Sequence, residues 1–193
     1  MNFEITEEQR MLRDTFARFS DERIRPQASA IDEAKAFPRE LFEELAGLDF
    51  FRLRYPETAG GLGLDFLSYC LAITEIARGS LSLAACAAMQ SLMGTHFLFS
   101  LGNERIRKDL LLPALEGRKI GTICITEPDA GSDLGSIATT ATKVENGYRI
   151  QGQKMWITSA PVADFFTVFA RTGEDKALTI FLVEKGTGGL TVG

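Results

Sequence analysis

Two short segments hold residue types at spacings that could do chemistry. The first reads Ile123-Cys124-Ile125-Thr126-Glu127-Pro128-Asp129-Ala130-Gly131-Ser132-Asp133. A β-prone run enters a turn there, Pro128 fixes one backbone dihedral, and Gly131 lets the chain pass close to a bound group. Backbone N–H groups beside the Thr126 and Ser132 hydroxyls could cradle phosphate or carbonyl oxygens. An ordinary polar turn after a strand would carry the same residue types. The second segment reads Gly152-Gln153-Lys154-Met155-Trp156-Ile157-Thr158-Ser159 and holds the only tryptophan, at the end of an expected strand. An indole face can stack on a flat ring system, and a core Trp anchoring a barrel is the competing reading.

The elements that must position these segments fall into two halves of different period. From Thr6 to Leu115 the pattern is helical. Thr6 and Gln9 form a capping box, followed by Met11, Leu12, Phe16 and Phe19 at helical spacing, with Pro26 near that helix's end. Pro38 opens a second helix, Leu41 to Ala46, which Gly47 can terminate. A loop from Tyr55 to Gly63 precedes Asp65, the expected cap of a third helix whose Phe66, Cys70, Ile73 and Ala77 line one face. Gly79 and Ser80 separate it from Leu81–Leu101. That run is apolar, but Ser82, Gln90, Ser91, Gly94, Thr95, His96 and Ser100 are too many polar groups for lipid, so it is expected to be a helix buried all round. His96, the only histidine, reads as structural. Asn103 caps a last short helix that Pro113 ends.

After Gly117 short β-prone runs follow one another: Ile120–Thr126, Ile137–Val144, Tyr148–Lys154, Phe165–Ala170 and Leu178–Val183. Turn signals divide them, notably Asn146-Gly147, Arg171-Thr172-Gly173 and Lys185-Gly186. Strands in succession without intervening helices predict an antiparallel, barrel-like sheet. The fold class is therefore α+β, with an all-α helical domain over residues 1–117 and an antiparallel β-barrel-like domain over 118–193. Thr191-Val192-Gly193 reads as the start of a further strand, so the chain reads as truncated.

Composition removes several function classes. With 21 Lys and Arg against 26 Asp and Glu, a net charge of -5 and a pI near 5.1, no electrostatic footprint for nucleic acid or an anionic membrane exists. Cys70, Cys86 and Cys124 are widely spaced and odd in number, which excludes a disulfide framework or a zinc site and suits a reducing cytosol or organelle matrix. Residues 1–10 show neither a secretory nor a transit pattern. The glycines at 60, 61 and 63 do not form G-x-G-x-x-G after a strand, so no Rossmann site is expected.

Taken together and in order, Ile-Thr-Glu-Pro-x-Ala-Gly-Ser-Asp at 125–133 and Gly-x-Lys-x-Trp-Ile-Thr at 152–158 resemble the acyl-CoA dehydrogenase family. The likeness extends upstream to Pro56-Glu57-x-x-Gly60-Gly61-x-Gly63, Glu75-Ile76-Ala77 and Leu112-Pro113. It covers nearly all of this chain and about half of the family's usual length.

The resemblance implies an amino-terminal helical domain, a middle β domain and a carboxy-terminal helical bundle, with FAD between the last two. It implies that Ile123, Cys124, Ile125, Thr126, Gly131 and Ser132 line the FAD, with Ile125 and Thr126 at the isoalloxazine and Gly131 and Ser132 at the pyrophosphate. Ser132 would also reach the acyl-CoA. Trp156 would pack on the flavin ring with Ile157 beside it, and Thr158 would bond near the reactive nitrogen. Glu127 and Asp133 read as groups that orient the loop. The implied reaction takes an α-proton and a β-hydride from an acyl-CoA thioester, giving the trans-2-enoyl-CoA. Its glutamate base lies on the carboxy-terminal bundle, so no catalytic residue is assigned here and residues 1–193 alone are expected to be inactive. The further implications are an electron-transferring flavoprotein as acceptor, a dimer or tetramer, a role in fatty acid metabolism, and no metal. The small apolar run Ala84-Ala85-Cys86-Ala87-Ala88 presents no arginine for a distal carboxylate, which favours a monocarboxylic or alicyclic acyl chain. A non-catalytic flavin- or partner-binding module and an acyl-CoA oxidase-like relative are the alternatives.

Overall fold

The computed structural model describes residues 4–174 and 176–193. They form two compact units that divide between Lys119 and Ile120.

In the helical unit, α1 (Glu7–Phe19) starts at Thr6, whose side chain accepts from the Gln9 N–H while Gln9 returns a bond to the Thr6 N–H. This capping box satisfies two of the N–H groups that a helix start leaves orphaned. Phe16 is fully buried, but Met11 is exposed, so the buried stripe is narrower than the sequence spacing suggested. The helix does not end near Pro26. A π turn (Ser20–Ile24) and a 3-10 turn (Arg25–Gln27) carry the chain on into α2 (Ala28–Ala34). Pro26 takes an early position in the 3-10 turn, where its missing N–H costs little. The α3 helix (Arg39–Gly47) keeps Gly47 inside its last turn, and the left-handed residue beyond it is Asp49 at φ 58°.

The α4 helix (Phe66–Gly79) is capped by Asp65, which accepts from the Ser68 N–H at 2.7 Å. Its buried face is Tyr69, Ala72 and Ile76, not the expected Phe66, Cys70, Ile73 and Ala77. Phe66 is exposed, and its ring stacks on Tyr69 from outside. Both faces are apolar, so periodicity alone left the phase of this helix undetermined. Leu81–Leu101 is long and apolar enough to cross a membrane by length and composition, with 44% of its most apolar window buried. It is thus not buried all round, and it is not one regular helix. A π turn (Met89–Gly94) joins α5 (Leu81–Ala88) to α6 (His96–Leu101).

Polar groups that looked misplaced in an apolar helix serve this wide turn. Ser91 Oγ donates to the Ala87 carbonyl, Thr95 Oγ1 to the Gln90 carbonyl, and Gln90 Nε2 to the carbonyls of Ala114 and Lys119. The first two bonds add a side-chain donor to carbonyls at the turn, and the third ties the turn to the chain at 114–119, since a buried unpaired carbonyl is costly. His96 is half-buried, edge-on to the ring of Phe97. Asn103 caps α7 (Glu104–Ile106), and a third π turn (Arg107–Leu111) absorbs Pro113 into α8 (Leu112–Leu115), so Pro113 does not end the helix. The core beneath is aromatic: Phe16 meets Phe50 edge-on, Phe42 lies 4.5 Å from Phe51, and Phe50 lies 5.3 Å from Tyr69.

The second unit is a five-stranded sheet built around β4 (Phe165–Thr172). Along one side β4 pairs antiparallel with β5 (Ala177–Glu184) over its whole length. The other side is shared. β1 (Gly121–Cys124) pairs parallel with Phe165–Val168, and β2 (Thr140–Val144) pairs parallel at Arg171. β2 forms an antiparallel hairpin with β3 (Gly147–Gln151), where Gly147 adopts φ 142°. The sheet is therefore mixed and not closed, and the all-antiparallel expectation is corrected. Parallel pairing needs a long connection, and residues 125–164 supply it between β1 and β4; their first part, 125–139, leaves the sheet where β1 ends and rejoins it as β2. Residues 190–193 form no strand.

Candidate functional site

The excursion at 125–139 contains the first motif. It emerges where two parallel strands hand over on the edge of β4, so sheet geometry fixes both of its ends. Glu127 is the internal anchor. Its carboxylate is buried, accepting from the N–H groups of Ala138 at 2.7 Å and Thr139 at 3.0 Å and from Lys154 Nζ at 2.7 Å. Burial pushes this carboxyl up, but the Lys154 ammonium and the N–H donors outweigh it and hold the pKa at about 2. Asp133 accepts from Ser136 Oγ and the Gly135 N–H, which also holds it below the ordinary range. The expectation that these acids orient the loop is met by this geometry.

Lys154 also donates to the Ile125 carbonyl at 3.0 Å, and the Met155 N–H donates to the Thr126 carbonyl at 2.9 Å. The second motif is thereby fastened to the first. Thr122 Oγ1, from β1, donates to the Thr158 carbonyl at 2.7 Å. Between these fastenings Trp156 lies outside any strand, at φ 59° and with 84% of its surface exposed. It is not a core anchor. A non-glycine residue held left-handed costs on the order of 1 kcal/mol, and such strain collects at functional sites. Ser159 is left-handed too, at φ 63°, and its buried hydroxyl lacks a partner.

The remaining candidates divide. Cys124 is buried and lines a concavity of about 1270 Å³ together with Lys154, Trp156, Ile157, Phe166 and Phe181. Burial pushes its thiol up to about 11, which keeps it unreactive. Strand alternation turns Ile123 to the opposite face, so those two side chains cannot serve one ligand surface together. Ile125, Thr126, Ile157 and Thr158 are half-buried, while Gly131 and Ser132 are exposed at the loop tip. A Cβ built on Gly131 meets nothing within 4 Å.

Among the described residues, the Thr126, Ser132 and Thr158 hydroxyls and the Gly131 and Ser132 N–H groups make no hydrogen bond. An exposed ring, unspent donors and an open glycine suit a flat heterocycle carrying phosphates, so the residues present fit FAD. Sequence reasoning missed Arg171 beyond its turn signal. Its guanidinium donates to the carbonyls of Ile137 and Lys176 at 2.7 Å and to Gly135, pinning the far end of the excursion.

The chain belongs to the acyl-CoA dehydrogenase family: residues 6–118 match its N-terminal domain and residues 122–193 its middle domain. It is 67% identical over 193 residues to benzylmalonyl-CoA dehydrogenase of Aromatoleum aromaticum, covering 100% of this chain and 51% of that protein. Butyryl-CoA dehydrogenase from Megasphaera elsdenii superposes with a TM-score of 0.90 at 32% identity, over 98% of this chain and 51% of that one. PigA with FAD and proline superposes with a TM-score of 0.92 at 30% identity, over 100% and 52%. The chain thus spans about half the length of the relatives it matches.

Proposed function

We propose that the protein is an FAD-dependent dehydrogenase of an acyl-CoA thioester, and that residues 1–193 supply one side of its flavin site. The observation that carries this reading is Trp156, held exposed and left-handed between two fastened segments. FAD would supply the hydride acceptor when bound. This chain's own residues position and bind: Trp156 and Ile157 offer an apolar plate, Thr126 and Thr158 offer hydroxyls at its margin, and Gly131 and Ser132 offer N–H donors for phosphate. Ser132 also serves the acyl-CoA. The base that takes the α-proton is not assigned to any residue of 1–193.

For the substrate, the name of the 67% identical relative points to an aryl-substituted malonyl thioester. That argues against the monocarboxylic chain expected from sequence, because a malonyl group carries a second carboxylate. Arg54 supports the revision. It is half-buried, lies 5.3 Å from the Tyr55 ring centroid and donates to the Ser91 carbonyl at 3.0 Å, with no carboxylate partner among the described residues. An electron-transferring flavoprotein as acceptor, a dimer or tetramer, a cytoplasmic location and a role in acyl-CoA or fatty acid metabolism complete the proposal.

Anaerobic mixing of the FAD-loaded full-length protein with benzylmalonyl-CoA should bleach the flavin, and an unchanged spectrum with every acyl-CoA tried would overturn the reading. A second reading is an oxidase-like relative that passes its electrons to oxygen. Reoxidation by oxygen as fast as by an electron-transferring flavoprotein would select it.

A further inference from the structure

Lys154 and Glu127 hold opposite charges 2.7 Å apart, with side chains only 11% and 6% exposed. The pair sits directly behind the turn that carries Ile125 and Thr126, since Lys154 Nζ also binds the Ile125 carbonyl. Glu127 is already satisfied by two backbone N–H groups. Those bonds hold Glu127, and a neutral donor would fasten the Ile125 carbonyl as well as Lys154 does, so shape alone does not call for a charged pair here. A buried ion pair is seldom a net gain in stability, because desolvating both charges cancels most of their attraction.

We infer that Glu127 and Lys154 are positioning residues that also set the electrostatic field at the flavin, each cancelling the other's charge behind the flavin-facing turn. This rests on the FAD reading above. Fields from buried charges are weakly screened, so loss of one partner exposes the bound ring to the charge of the other. An unpaired ammonium favours the anionic reduced flavin and raises its midpoint potential. An unpaired carboxylate lowers it.

The test measures flavin midpoint potential in the FAD-loaded full-length protein and in four variants. Glu127→Gln should raise the potential, Lys154→Met should lower it, and the double variant should return close to the parent. Lys154→Arg should keep the parent value, because it keeps the charge. A merely structural role would shift both single variants in one direction, in step with their loss of stability. Same-sign shifts, or none while FAD stays bound, would overturn the inference. Failure of the parent protein to bind FAD would instead sink the underlying reading, and the inference with it. If either single variant failed to hold FAD, the double variant and Lys154→Arg would decide: a double variant far from the parent potential refutes charge cancellation.

Discussion

Thr122 and Thr158 are 36 residues apart, yet the hydroxyl of the first donates to the carbonyl of the second at 2.7 Å. Thr122 is fully buried on β1, so the sheet itself sets where Thr158 stands. Thr122→Val should strand that carbonyl and cost about 1–3 kcal/mol in urea unfolding. Thr158→Ala should leave stability nearly unchanged, because its hydroxyl has no partner here, yet slow flavin reduction in stopped-flow. Equal effects of both variants on stability and on reduction would contradict this division.

Ser132→Ala removes an exposed hydroxyl assigned to the pyrophosphate and the thioester. Losing a hydrogen bond to a charged group costs roughly 1.5–3 kcal/mol, so FAD or acyl-CoA affinity should fall about tenfold or more. Isothermal titration would show it, with the unfolding midpoint unmoved.

Trp156→Gly should separate strain from function. Glycine accepts φ 59° freely and little packing is lost at an 84% exposed residue, so stability should hold or rise by about 1 kcal/mol. Cofactor affinity should fall in the same variant. A large loss of stability would show that the indole packs in the folded chain after all.

Acid should weaken the β unit through Glu127. Its carboxyl sits at about 2 in the folded protein against an ordinary 4.5. A depressed value contributes stability fully above about pH 4.5, lost as pH falls through about 2, on the order of 3 kcal/mol in all. Urea midpoints measured across that window should drop for the parent and stay flatter for Glu127→Gln.

Arg54→Met should raise KM for a malonyl-type thioester at least tenfold while sparing a thioester without the second carboxylate. Steady-state kinetics on the two substrates with the full-length protein decide it. Equal losses on both would return Arg54 to a role in packing against Tyr55 and Ser91.

Much of this architecture is legible in the chain itself. Thr6, Asp65 and Asn103 cap helices because short polar side chains reach N–H groups three residues ahead, a purely local event, and Ser80, expected only as a break, caps α5 in the same way. The hairpin after Val144 is local in the same way, although its two turn residues are Glu145 and Asn146 and Gly147 is already the first residue of β3. What the sequence concealed is non-local. The pairing of β1 with β4 joins Gly121 to Phe165, and no short-range signal announces a parallel ladder. The phase of α4 is hidden by a second apolar face, and nothing local to Lys154 announces its contact with Glu127, 27 residues away. Arg171 gave only a turn signal, because carbonyl acceptors have no side-chain signature.

The Met89–Gly94 turn spans five residues per hydrogen bond where an α-helical path spans four, as the Thr95 N–H to Gln90 carbonyl bond shows. It therefore stores one spare residue in the middle of an otherwise regular rod. Deleting one residue there would tighten the turn to an α-helical path and leave the register of both flanking segments, each against its own neighbours, largely unmoved. Deleting one inside Leu81–Ala88 would rotate everything before it by about 100°. Length variation among relatives should gather at this turn, which makes it a built-in slack point where indels are absorbed without redrawing the core.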